Sequence, residues 1–308
     1  MVTTRWVDKT NYSFKEIIDK MSEVPADENN NSMSYCNWNI EKVFEENQKE
    51  KLNGKELEYN YFKYKYDSIS YGNQPIEDRT AKNEGIVIVY YDGKYTNYII
   101  SRNSDAQKII RKIMNYTGKN EIDRNMPSFD TDFFIWLINK VYNNENTIEA
   151  INKDLYDISL DAIKGFKGNT EDLLTKVSAN GESVMNIIST LSFFLESRNL
   201  NQITLDMEYF KHQSITLVLT NKGFSGTVSI YEDKYQGIFE EEIDKNIILP
   251  KLTLLVYLEI LPILIQAYNN DIENEVWSRE ENINFLKKVA KELSEKVKNR
   301  VEFLETME

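Results

Sequence analysis

The chain has 308 residues, 41% of them apolar and 12% aromatic. That is enough apolar surface for an ordinary globular core in one to three domains and too much for global disorder. Thirty-seven bases against 50 acids leave a net charge of −13, which disfavours unspecific adhesion to nucleic acid or anionic lipid. A single cysteine, Cys36, and a single histidine, His212, exclude a disulfide scaffold, a thiolate metal cage, His-rich zinc sites and Cys-His dyads.

The first twenty residues hold no apolar run behind a basic start, so the sequence predicts no secretory signal and a cytoplasmic protein. Ser13 is a plausible N-cap for a short amphipathic helix over 13–24, with Phe14, Ile17, Ile18 and Met21 on one face. A polar, turn-prone segment follows from Ala26 to Ser34. Between Lys55 and Asp67 the apolar alternation slips phase, from odd positions (Leu57, Tyr59, Tyr61) to even ones (Phe62, Tyr64, Tyr66). A β-bulge near Tyr61 and Phe62 would restore one inward face. Two β-branched and aromatic runs then flank Asp92-Gly93, predicting a β-hairpin over 86–101. Ser104 is positioned to cap a helix carrying Ile109, Ile110, Ile113 and Met114, with Gly118 as its terminator. A second helix starts near Ser128 or Asp130 and carries Phe133, Phe134, Trp136, Leu137 and Val141.

Beyond the Asn143–Asn146 break, the spacing predicts helices over 148–166, 173–177 and 183–195. Period-two runs at 203–209, 214–220 and 226–232, separated by short turns that include Asn221-Lys222-Gly223, predict an antiparallel meander packed on those helices. The apolar stretch from Ile247 to Tyr268 contains Pro250, Lys251, Glu259 and Pro262 and reads as a buried core helix, not a membrane span. A long helix from about Ser278 carries a stripe at steps of three and four: Phe285, Leu286, Val289, Leu293, Val297, Val301 and Leu304. Within 279–308 seven bases balance seven acids, so this helix is a charge-neutral face in an acidic chain.

Motifs for phosphate cradles, dinucleotides, HExxH zinc and nucleophile elbows are absent from the sequence. The remaining catalytic constellation is Asp206 on one predicted strand with Glu232 and Lys234 at the end of another; paired carboxylates beside a lysine could hold magnesium and orient water for nucleic-acid cleavage. Acid-x-base triplets recur by chance in so charged a chain, so solvated strand-end charges are the favoured reading of the pattern. Lys63, Tyr64 and Lys65 could pair phosphates and stack a base, although a half-buried strand needs the same alternation. His212 and the acidic run Glu240–Glu242 read as exposed and solvated.

The sequence therefore predicts an α+β protein with antiparallel hairpins and a meander packed against helices, plus a long amphipathic helix near the end of the chain. The expected domains are 1–145, with the hairpin, and 146–308, with the meander over 203–231. The expected function is non-enzymatic binding or assembly without a cofactor, through a protein partner or homo-oligomer at Leu286, Val289, Leu293, Val297, Val301 and Leu304. The alternatives are a magnesium-dependent nuclease at Asp206, Glu232 and Lys234, and an acidic decoy that imitates nucleic acid. Abundant Asn, Lys, Ile and Tyr resemble the composition of proteins from AT-rich bacterial or phage genomes, which points to a phage-defence or counter-defence setting.

Overall fold

The computed structural model describes residues 1–27, 33–118, 120–169, 176–180, 195, 199–222, 225–239 and 245–306. It is an α+β protein built on antiparallel strands, and its chain divides into two compact units. Residues 1–126 with 244–252 form the first, and 127–243 with 253–308 the second. The helix that follows Asp130, expected with the N-terminal part, groups with the residues after it.

The first unit runs β1 (Val2–Asp8), α1 (Phe14–Met21), β2 (Met33–Lys42), β3 (Gln48–Leu52), β4 (Lys55–Ser70), α2 (Ile76–Arg79), β5 (Thr80–Tyr91), β6 (Thr96–Ile100), α3 (Ala106–Ile113) and β7 (Ile122–Arg124). Its strands pair antiparallel in the order β7-β1-β6-β5-β4-β2, with β3 also on β4. Ser13 caps α1 and closes a capping box with Glu16, which satisfies free amides at the helix start. The apolar faces of α1 (Ile17, Ile18, Met21) and α3 (Ile109, Ile110, Ile113) share one core with Phe62, Tyr64, Val87 and Tyr98 of the sheet.

The bulge expected at Tyr61 and Phe62 is not present. β4 pairs with β5 in unbroken register from Glu58 opposite Tyr91 to Ile69 opposite Thr80. The phase slip instead reflects burial of both sheet faces: Leu57, Tyr59 and Tyr61 are buried on one, Phe62, Tyr64 and Tyr66 on the other. The irregularity lies on β2, where the register shifts between Cys36 and Asn39 and Asn37 takes φ 55°. The predicted hairpin forms as β5 and β6. Only Gly93 of its turn needs positive φ, while the Asp92 carboxylate accepts from the Lys94 and Tyr95 amides. Asp105, not Ser104, is the N-cap of α3, and the chain leaves that helix through Asn115 at φ 51°, ahead of Gly118.

The second unit contains α4 (Thr131–Tyr142), β8 (Thr147–Ile148), β9 (Ile158–Asn169), β10 (Lys176–Asn180), β11 (Asn199–Tyr209), β12 (His212–Lys222), β13 (Ser225–Ile230) and β14 (Gln236–Gly237). A helical run follows: α5 (Lys245–Leu255), whose residues through Leu252 group with the first unit, a π-helical segment (Val256–Ile260) and α6 (Leu261–Glu273). The last element is α7 (Arg279–Glu305). Strands pair antiparallel in the order β10-β9-β11-β12-β13, so the predicted meander is present as β11, β12 and β13.

The helix expected over 148–166 is overturned: 149–157 is irregular, and 158–166 lies in β9. Its pairing with β11 shifts register three times: one shift leaves Asn201 of β11 as an extra residue, and the other two leave Lys164 and Asp161 of β9. These bulges space the buried Ile158, Leu160, Ile163 and Phe166 by two and then three, which imitates a helical stripe. Val177, expected at a helix end, lies in β10, while 170–175, residues 183–194 of the helix expected over 183–195, Gly223 and the acidic run 240–242 lie outside the described residues.

The segment Asn246–Glu273 is long and apolar enough to cross a bilayer by length and composition, and 67% of its most apolar window is buried. Two carboxylates tie helices of the second unit together. Asp132 of α4 accepts from Tyr268 on α6, from the Trp277 indole and from Asn282 on α7, at 2.7 to 2.8 Å. Asp271 of α6 accepts from the Trp136 indole at 2.9 Å and pairs with Lys140 at 3.0 Å.

Candidate functional site

α7 begins at Ser278, whose hydroxyl accepts from the Glu281 amide, and extends for 27 residues, about 40 Å at 1.5 Å per residue. Its first half is anchored within its own unit. Phe285 is buried edge-on to Tyr142 with ring centres 5.4 Å apart, and Val289 is fully buried. The Tyr142 hydroxyl donates to Glu292, which holds that carboxyl below the usual range, and Lys288 donates to Asn143. Further along, Lys296 pairs with Glu292 and Lys298 with Glu302, i,i+4 contacts along the helix that support it locally.

The six stripe residues therefore fall into three groups. Val289 is core, Leu286 and Leu293 are half-buried, and Val297, Val301 and Leu304 are 49%, 47% and 50% exposed. At 100° per residue the last three lie within about 60° of one another around the helix, so they form one apolar face. Phe303 is exposed on an adjoining face, with the Arg300 guanidinium over its ring. Burying an apolar side chain of this size is worth about 1.5 to 3 kcal/mol when complete, so the half-exposed row retains an incentive to be covered.

Asp206 lies in β11, and Glu232 and Lys234 follow β13. Asp206 is buried, bound by Lys164 at 2.5 Å and by the Thr216 hydroxyl at 2.7 Å. Glu232 and Lys234 sit in a 3-10 turn with no buried residue, where the Lys234 ammonium lies over the Tyr231 ring. Among the described residues no group of three or more His, Cys, Asp and Glu side chains could hold a metal ion. Sequence reasoning missed Lys164 as the partner of Asp206 because the bulge that aims it was masked by apparent helical spacing.

Lys63, Tyr64 and Lys65 are separated by the pleat. Tyr64 is buried and its hydroxyl accepts from Arg102; burial is the main cause that raises it above the usual phenol range. Lys63 donates to Asn246 at 2.7 Å and Lys65 pairs with Glu84 at 3.5 Å. No base could stack on Tyr64 without opening the core.

His212 also departs from expectation. It is buried at the start of β12, its Nδ1 is 2.6 Å from the Tyr235 hydroxyl, and its ring lies 4.8 Å from that of Phe239. Burial pulls the imidazole down to about 4. The short strand β14 pairs alongside His212 opposite Gly237, where a Cβ would stand 2.9 Å from Nδ1. Comparison with models of known protein families returns no match for this chain, and no curated protein matches it either.

Proposed function

We propose that this chain is a non-enzymatic assembly component, and that the exposed half of α7 seats the same helix face of a second copy. The observation that supports this reading is the row of Val297, Val301 and Leu304, half-exposed on a helix whose earlier turns are anchored by Phe285 and Val289. Seven bases against seven acids over 279–308 make this a surface where two copies of a chain charged at −13 approach without local repulsion. The composition favours a place in a bacterial or phage multiprotein system, with defence or counter-defence as the setting.

Light scattering coupled to size-exclusion chromatography tests the assembly. The wild type is expected to show twice the chain mass, and the double substitution Val297→Glu and Val301→Glu, at two exposed positions that the fold does not bury, is expected to show the single-chain mass. A wild type that runs as one chain at every soluble concentration, or a double variant that keeps the wild-type mass, would overturn the reading.

A further inference from the structure

The hairpin end of the first unit encloses a cavity of about 480 Å³, within the range of small-molecule sites. The end of β1, the first turn of α1, Glu58 on β4 and the β5–β6 turn converge there. Its walls are aromatic: Tyr12, Phe14, Tyr91 and Tyr95, with the Phe14 and Tyr91 rings 6.1 Å apart.

Two carboxylates line this space. Asp8 is only 4% exposed and accepts four hydrogen bonds, from the Thr10 amide (2.8 Å), the Thr10 hydroxyl (2.5 Å) and the Tyr98 and Tyr116 hydroxyls (2.6 Å each). Burial, reinforced by Asp8 itself, raises both phenols well above their usual range, so they remain donors. Each Asp8 carboxylate oxygen thus takes two of these four bonds. Glu58 is half-buried, with Oε1 accepting from Asn47 at 2.7 Å. Among the described residues neither carboxylate has a basic side chain within ion-pair distance. A buried acid is ordinarily accompanied by a cation, and this cavity provides the space for one. The two lysines that line it, Lys15 and Lys94, are exposed, and the Lys94 ammonium lies over the Tyr95 ring at 4.9 Å. The lining is thus polarised, with acid in its less accessible part and base in its more accessible part.

We infer that this cavity binds a small zwitterion of the basic amino-acid type, its guanidinium or ammonium head taken by Glu58 and the aromatic walls in the field of Asp8, and its carboxylate by Lys15 and Lys94. A planar guanidinium satisfies both requirements of the inner part, hydrogen bonding to a carboxylate and stacking on aromatic faces. The site is independent of the α7 face. The same chemistry is offered by free arginine and by the C-terminal arginine of a peptide.

Isothermal titration of the full chain distinguishes the possibilities. Free arginine, agmatine (the same head without the carboxylate) and a short peptide ending in arginine are titrated in parallel, with AMP as the anionic aromatic contrast. Saturable heat from arginine identifies a free small molecule, and heat from the peptide alone identifies a partner's tail; either supports the inferred chemistry. Glu58→Gln, which keeps shape and removes charge, is expected to weaken the arginine-type ligand by about tenfold or more. The pair Lys15→Gln and Lys94→Gln is expected to weaken arginine while leaving agmatine unchanged. No heat from any of the three cations, wild-type affinity in a Glu58→Gln protein with an unchanged melting curve, or binding of AMP in place of arginine would each overturn the inference.

Discussion

His212 shows how a residue that reads as ordinary becomes distinctive through its surroundings. Next to Lys211 in a short link between strands it has the local sequence of a solvated imidazole, and nothing nearby announces that Tyr235, Gly237 and Phe239 close over it. Burial lowers the folded-state value to about 4, below the ordinary 6.5, so the fold holds the neutral ring. The stability this contributes is fully present above pH 6.5 and is lost as pH falls through the interval from 6.5 to 4, amounting to about 3 kcal/mol at the acid end. Urea midpoints of the wild type should therefore drop between pH 6.5 and 5, before most carboxylates titrate. His212→Gln, whose side-chain amide can hydrogen-bond to the Tyr235 hydroxyl in either direction, should be flatter over that interval; parallel curves would show that the ring does not control it. Asp206 was recognisable as a candidate acid, but its partner Lys164 was not, since their approach depends on a bulge between strands some forty residues apart in sequence.

At the scale of elements, legibility followed locality. The β5–β6 hairpin and α1 were readable because each is specified by adjacent residues, a turn pair in one case and a capping box in the other. β4 and β9 were misread because their apolar periods are set by what lies on both faces of the sheet or by extra residues in the ladder. A close approach fixes another strand, β13. Gly226 donates its amide to the Pro127 carbonyl at 3.2 Å, and a Cβ at Gly226 would stand 2.4 Å from the buried Phe129 ring and 2.8 Å from that carbonyl oxygen. Neither neighbour can withdraw cheaply: one is backbone and the other is packed among Phe133 and Phe134. Gly226→Ala is thus expected to destabilise the protein by about 1 to 3 kcal/mol, seen as a lower urea midpoint with an unchanged slope. A midpoint equal to that of the wild type would mean that the strand can shift away from the 127–129 segment at no cost.

For the whole molecule, charge separates the assembly reading from its rivals. Nothing local in the sequence signalled that 244–252 would return to the first unit, because that grouping rests on contacts with residues about two hundred positions earlier, such as Lys251 with Glu50. Net charge, by contrast, is fully legible, and −13 on each copy acts against any self-association. If α7 pairs through Val297, Val301 and Leu304, the attraction is apolar and insensitive to salt, whereas the repulsion it must overcome is screened by salt. Raising salt from roughly 0.01 M to roughly 1 M shortens the screening length from about 30 Å to about 3 Å, so the dimer fraction in sedimentation velocity should rise across the titration. A surface that acts by ion pairing responds in the opposite sense: an acidic decoy releases its basic partner, and a nucleic-acid site loses affinity steeply, as salt increases. A dimer fraction that falls with salt would place the association on charged groups and not on the α7 row. The Val297→Glu and Val301→Glu protein, which adds two negative charges to that row, should remain a single chain at both ends of the range, because screening removes repulsion but restores no apolar contact.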